Sequence, residues 1–456
     1  MSKSEAALAV GSGQRPFTVS HRLVLSIAVP MTLAYLTTPL LGLVDMAVVG
    51  RLGDAALIGG LAVGAIIFDL VYTTFNFLRA ATTGLVAQAF GRDDVTEQQA
   101  VFWRSLLIGL VSGVVLLILS PVIIQLGIWA MSPGEAVRGA THTYASIRMI
   151  SAPASLANYA ILGFVLGRGQ GLAGLALQAV INGTNIVLSI LFGLHFGWGL
   201  EGVAWATVTG ECIGLVVGFA YIRLTVGRSQ APSWQRIFDT SAIRPLITLN
   251  RDIMIRSIAL LLAFALFVRQ GAQFGAVTLA ANAILMNFFL VAGYYLDGFA
   301  TAAEQLAGRA IGAGYRPAFD RAVRLTVLWG FCLAALTTLF FLVFGNAVVD
   351  LLTTSPDVRA ATRDYIVWAA LTALAGVLAF EMDGVYIGAT WSVDMRNMML
   401  ASLALFAVLS WLLVPVLGNH GLWIALLAFL GMRGLTLYAL LDRRARATFA
   451  VSRGEA

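Results

Sequence analysis

Residues 23–50 read LVLSIAVPMTLAYLTTPLLGLVDMAVVG, an apolar run with one charged side chain, Asp45. About 20 apolar residues, each rising 1.5 Å, suffice to cross the hydrocarbon of a bilayer. A carboxylate there costs about 2.5–3.5 kcal/mol on insertion scales, so it needs a partner or a task. The rest of the chain decides whether the run is a span. Of 456 residues, 59% are hydrophobic and only 11% charged. A soluble domain carries about 25% charged residues. So few charges cannot solvate a globular surface, and the exterior must face lipid.

Similar runs fall at about 55–78, 101–129, 139–166, 172–195, 201–222, 246–269, 276–303, 323–350, 365–390, 398–418 and 420–441, which predicts an all-α integral membrane protein with twelve transmembrane helices. Twelve spans return both termini to one side. The loops and tails of that side hold twenty Lys and Arg residues against five on the other (Arg51, Arg138, Arg269, Arg359 and Arg363). The bias places both termini in the cytoplasm. It also accounts for the formal charge of +6 without nucleic acid. The polar residues 1–22 read as a cytoplasmic tail without the apolar core of a signal peptide, and 442–456 as a second tail. Cys212 and Cys332 sit in apolar runs and imply no disulfide framework.

The longest polar connection, 223–245, lies mid-chain as a linker between an N-lobe (23–222, helices 1–6) and a C-lobe (246–441, helices 7–12). An internal repeat points the same way. TTGLVAQAFGRDD (82–94) ends the second span and FATAAEQLAGRAIGAG (299–314) ends the eighth, so that Gln88-x-x-Gly91-Arg92 matches Gln305-x-x-Gly308-Arg309. The match reads as two pseudo-symmetric six-helix bundles or as a shared helix-end signature; the two-lobe reading is favoured.

Polar residues inside the spans fall into helical stripes: Thr38, Gly42 and Asp45; Arg148, Ser151, Ser155 and Asn158; Asn182, Asn185 and Ser189; Thr207 and Glu211. Asn and Ser stripes also serve as glue between helices, an equally good reading for Ser151, Ser155 and Asn182. Asp45 is the functional candidate, with a structural ion pair to Arg148 as the alternative. In the second half Asp252 and Arg256 are spaced as a local salt bridge. Asp297, Thr301 and Glu304 share one face, Glu381 and Asp383 fall in the tenth span, and Phe288, Phe289, Tyr294, Tyr295 and Phe299 interleave with them. Acid lined by aromatics suits a hydrophobic cation, although packing against lipid accounts for at least half such rings.

Nothing points to an enzyme. The four histidines lie at helix ends or loops without metal-binding spacing, no phosphate-binding glycine loop is present, and no cofactor or metal is implied.

The stretches LLGLVDMAVVGRLG (40–53), FLRAATTGLVAQAFG (77–91), SAPASLANYAILGFVLG (151–167), GLEGVAWATVTGE (199–211), LNRDIMIRS (249–257) and DGVYIGATWSVDMRNMM (383–399) together resemble the multidrug and toxic compound extrusion (MATE) family of transporters, in its DNA-damage-inducible protein F (DinF) type branch. The resemblance implies two bundles around a central cavity, alternating access, and cation-coupled export of small amphipathic compounds by a monomer. It implies that Asp45 is the coupling residue, that Pro30 lets the first helix bend, and that Asn158, Asn185 and Thr207 complete the site. Ser189 stands where the family has an aspartate. One formal charge rather than two makes a poor sodium site, which favours protons. Asp383 resembles an acidic tenth-span residue of some relatives, and Asp297, Glu304, Tyr294 and Tyr295 are further cavity candidates. The expected activity is proton-coupled antiport of mostly cationic drugs. Export of citrate-like anions, with intramembrane Arg79, Arg148, Arg256 and Arg433 as ligands, and sodium-coupled antiport are the alternatives.

Overall fold

A computed structural model describes residues 15–226 and 232–451; parts of both expected tails and of the central linker lie outside it. Among the described residues every regular element is a helix. The first six expected spans are α1 (His21–Gly50), the pair α2 (Ala55–Phe75) and α3 (Phe77–Gly91), α4 (Val95–Met131), the pair α5 (Glu135–Met149) and α6 (Ala152–Gly167), α7 (Gly171–Ile190) with a π-helical turn to His195, and α8 (Gly199–Val226). A short α9 (Trp234–Ile237) precedes the last six, α10 (Thr240–Ala272), α11 (Ala276–Gly312), α12 (Arg316–Leu352), α13 (Pro356–Gly388), α14 (Ser392–Leu417) and α15 (Asn419–Val451).

Ten of these spans are long and apolar enough to cross a membrane, eleven with the bent pair α5/α6. The remaining expected run lies in α10, a 33-residue helix. The 52° bend between α5 and α6 has a local cause. Pro153 stands in the first turn of α6, where it has no N–H to donate and its ring excludes the preceding carbonyl. Side chains such as Ile118, Val216, Leu336 and Trp411 are mostly exposed, as a lipid-facing surface requires.

Several helices outrun the apolar runs because polar caps and ion pairs continue them. Asp54 caps α2 by accepting from Ala56 N at 2.8 Å, and Asp94 caps α4 by accepting from Glu97 N at 2.8 Å. Residues 442–451, expected as tail, are the end of α15, where Arg446 pairs with Asp442 at 2.5 Å and Arg316 with Asp442 at 2.7 Å. In the linker, Arg236 pairs with Asp94 and Glu97, and Arg104 donates to the carbonyls of Arg236 and Ile237.

Two compact units divide the chain. One holds the described residues up to Thr32 together with Arg251 onward; the other holds Leu33–Asn250. Residues 23–32, which the sequence reading assigns to the N-lobe, thus belong with the C-terminal half. The division follows Pro30 by two residues. In the first unit, Gly298 of α11 lies so close to α1 that a Cβ there would stand 2.8 Å from Thr32 N. In the second, Asn182 of α7 donates to Thr37 at 2.6 Å. Proline weakens a helix, and two residues after it, at Thr32, α1 exchanges the neighbours of the first unit for those of the second.

The internal repeat is structural. The offset of 217 residues that takes Gln88 to Gln305 also takes Thr83 to Ala300 and Gly167 to Gly384. A Cβ on Gly167 would stand 2.8 Å from Thr83 O, and one on Gly384 2.2 Å from Ala300 O. The same glycine therefore lets the same helix pair approach closely in each unit, as small residues do in membrane bundles. The ends of α3, α6, α11 and α13 also share one closure, in which the N–H of Asp94, Gln170, Tyr315 and Trp391 reaches back five residues to a carbonyl. The residue before each is left-handed: Asp93, Gly169, Gly314 and Thr390.

Candidate functional site

In the unit Leu33–Asn250, α8 carries glycines one turn apart at 210, 214 and 218. A Cβ at Gly210 would lie 3.0 Å from Ile181 O of α7, at Gly214 2.3 Å from the Ile181 side chain, and at Gly218 2.7 Å from Ile161 of α6. This groove draws α8 against α7 and α6 and sets the polar face of α8, Thr207 and Glu211, beside theirs.

A hydrogen-bonded chain results. Ser189 Oγ stands 2.8 Å from Asp45 Oδ1 and 3.1 Å from Asn185 Oδ1, Asn185 Nδ2 donates to Thr207 Oγ1 at 2.6 Å, and Thr207 donates to Val203 O at 3.2 Å. All four side chains are buried. Four of the expected residues, Asp45, Asn185, Ser189 and Thr207, therefore meet across α1, α7 and α8. The turn that follows Ser189 is π-helical (Leu191–His195), a widening frequent at functional sites.

Asn158 goes elsewhere. Its Nδ2 donates to Glu211 Oε2 at 2.7 Å and to Glu211 O at 2.9 Å. The structural ion pair considered for Asp45 and Arg148 is absent among the described residues, where Ser189 is the hydrogen-bonding partner of Asp45. Arg148 instead lies over the rings of Phe68, at 4.8 Å, and Tyr144, at 5.9 Å, and its Nε is buried without a hydrogen-bond acceptor. The sequence places Glu211 in a stripe with Thr207 and assigns it no role. The i, i+4 spacing was visible, whereas its contact with Asn158, 53 positions away, was not.

In the other unit, Asp383 of α13 accepts from Arg256 of α10 and Arg433 of α15 through the same oxygen. Asp252, expected to pair with Arg256, is held by Arg396 at 2.8 Å, Arg251 at 3.0 Å and the Ser392 hydroxyl at 2.9 Å. Asp383 is thus no open carboxylate. Glu304 is buried, Asp297 exposed, and Tyr294 and Tyr295 half-buried. Phe288, Phe289 and Phe299 are buried in the protein itself, with Phe288 stacked on Phe341 at 4.0 Å. Glu381 is fully buried, and among the described residues neither carboxyl oxygen has a hydrogen-bond partner.

The MatE family pattern matches residues 30–191 and 253–412, one stretch in each half. The chain belongs to the MatE family. It is 37% identical over 442 residues to the DNA damage-inducible protein F of Escherichia coli (strain K12), covering 94% of each chain. The probable multidrug resistance protein NorM of Chromobacterium violaceum is 25% identical, over 93% of this chain and 94% of its own. Among solved structures, the Vibrio cholerae MATE transporter VcmN in the bent form superposes with a TM-score of 0.87 at 19% identity, over 95% of this chain and 98% of that one. As a MatE protein the chain is a multi-pass membrane transporter of the multidrug and toxic compound efflux family. The expected fold class holds, and the MatE pattern accounts for two similar halves.

Proposed function

We propose that this MatE transporter exports lipophilic cations in exchange for protons, with Asp45 as the group where proton and cargo compete. The observation that carries the reading is the buried chain Asp45–Ser189–Asn185–Thr207. A carboxylate buried on a helix that takes different neighbours before and after Thr32, just past Pro30, links a titration to a shape. A proton arriving from outside neutralises Asp45, the first helix bends at Pro30, and the cargo loses its counter-charge. Coupling then requires only that proton and cargo favour different states.

Proton rather than sodium coupling is supported by the donor set. Asp45 is the only carboxylate in the hydrogen-bonded set Asp45–Ser189–Asn185–Thr207, Ser189 replacing a second, and sodium needs several hard oxygens with enough charge to offset dehydration. Both termini and the linker are assigned to the cytoplasm from the distribution of arginine, and the transporter is taken to work as a monomer in the inner membrane.

One observation favours a second reading, export of citrate-like anions. Two guanidinium groups, Arg256 and Arg433, converge on the single carboxylate of Asp383. Liposomes holding the purified protein decide between them. Ethidium flux driven by a pH gradient and lost in Asp45→Asn is expected; citrate flux without ethidium flux reverses the choice of cargo, and flux driven by sodium alone reverses the choice of ion.

A further inference from the structure

The unit Leu33–Asn250 holds a second carboxylate that the Asp45 chain does not use. Glu211 is half-buried on α8, one turn beyond Thr207, so the helix that ends the Asp45 chain also carries this acid. A single donor, Asn158 Nδ2, grips both its side chain and its backbone carbonyl, which fixes the rotamer.

The cation that acts on both acids is Arg148. It stands next to the bend between α5 and α6 and lies within electrostatic reach of both Glu211 and Asp45, yet it forms an ion pair with neither among the described residues, and its Nε has no acceptor. One guanidinium is thus shared by Asp45, Glu211 and also Asp69 of α2, and it cannot pair with all of them at once. The other groups facing Glu211 are Tyr72 from α2, Ser155 and Tyr159 from α6, and its neighbour Cys212. α7, packed along α8, carries no charged residue. Among the described residues Arg148 is the cation that acts on both acids, and a buried charge left uncompensated is costly.

We propose that Glu211 is a second proton carrier of this transporter, oriented by Asn158 and sharing Arg148 with Asp45 as a common counter-charge. It supplies the acidic charge that Ser189 does not, placed on α8 rather than α7. The step is the binding of one proton to the Glu211 carboxylate and its release when Arg148 turns from Asp45 to Glu211. The two acids titrate as a coupled pair, with Arg148 as the link between them. The inference rests on the proton-coupled reading above.

The test is the number of protons released when ethidium binds to the purified protein in weakly buffered detergent, read with a pH-indicator dye. Relative to wild type, Glu211→Gln and Asp45→Asn are each expected to release about half as many protons per ethidium bound, and the double variant almost none. Gln keeps an oxygen for Asn158, so the fold is retained, and Glu211→Asp is expected to restore release. Equal release by wild type and Glu211→Gln overturns this inference and leaves Asp45 as the sole carrier. Glu211→Asp failing to restore release assigns the loss to packing and also overturns it. Ethidium binding by wild type without proton release overturns the proton-coupled reading, and this inference with it.

Discussion

The Ser189 hydroxyl stands 2.8 Å from Asp45 Oδ1 and 3.1 Å from Asn185 Oδ1, and it has one proton to give. An ionised Asp45 accepts the hydrogen bond from Ser189. A neutral Asp45 can donate to Ser189 Oγ, which turns its own proton to Asn185. The charge on α1 is thereby written into the orientation of a hydroxyl on α7, and through Asn185 it reaches Thr207 on α8. In the proposed cycle Ser189→Ala breaks this link. With a hydrogen bond to a charged group worth about 1.5–3 kcal/mol, pH-driven ethidium flux is expected to fall roughly ten- to a hundredfold. Flux within twofold of wild type shows the link to be unimportant.

Asp45→Asn keeps the shape and removes the titration, so the variant should insert normally and lose pH-driven export. Ser189→Asp restores a second acid beside Asp45 and should make flux respond to sodium. Identical sodium titrations for Ser189→Asp and wild type count against the donor-set argument.

Asp383→Asn leaves Arg256 and Arg433 facing each other without their shared carboxylate. Breaking a buried charge pair costs about 3–5 kcal/mol, so a clear fall in the thermal midpoint in detergent is expected. Asp320→Asn, which removes an exposed pair with Arg316 at 3.5 Å, should cost about 0–1 kcal/mol. Equal midpoints for the two variants mean that the Asp383 cluster is loosely held.

The matched helix approaches predict a matched sensitivity. Gly167→Ala places a methyl group 2.8 Å from Thr83 O, and Gly384→Ala 2.2 Å from Ala300 O, whereas Gly431→Ala meets nothing within 4 Å. Overpacking against backbone costs about 1–3 kcal/mol. Lower yield and a lower midpoint are expected for the first two and wild-type behaviour for the third; tolerance of both tight sites shows that the helices can separate at no cost.

The arginine distribution predicts the sidedness. With Cys212 and Cys332 replaced, cysteines at Ser229 and Ser452, both outside the described residues, should react with a membrane-impermeant maleimide only in inside-out vesicles. Labelling in intact cells reverses the topology.

The sequence alone determined that the chain spans the membrane many times as helices. Hydrophobic run length and scarcity of charge are local quantities, and a bilayer leaves few other ways to satisfy a buried backbone. It also marked Asp45, because one carboxylate in the 23–50 run needs no partner to be conspicuous. Spacing within a helix put Asn182, Asn185 and Ser189, and Thr207 and Glu211, on common faces. Tertiary structure decided which faces meet. Asn158 bonds to Glu211 and not to the Asp45 chain; Asp383 takes up Arg256, while Asp252 is held by Arg251, Arg396 and Ser392; and the first residues of α1 side with the other half of the chain. Each depends on how closely two helices approach and how they are turned, which glycines such as Gly214 and Gly384 permit. Their missing side chains have an effect only when a second helix is present.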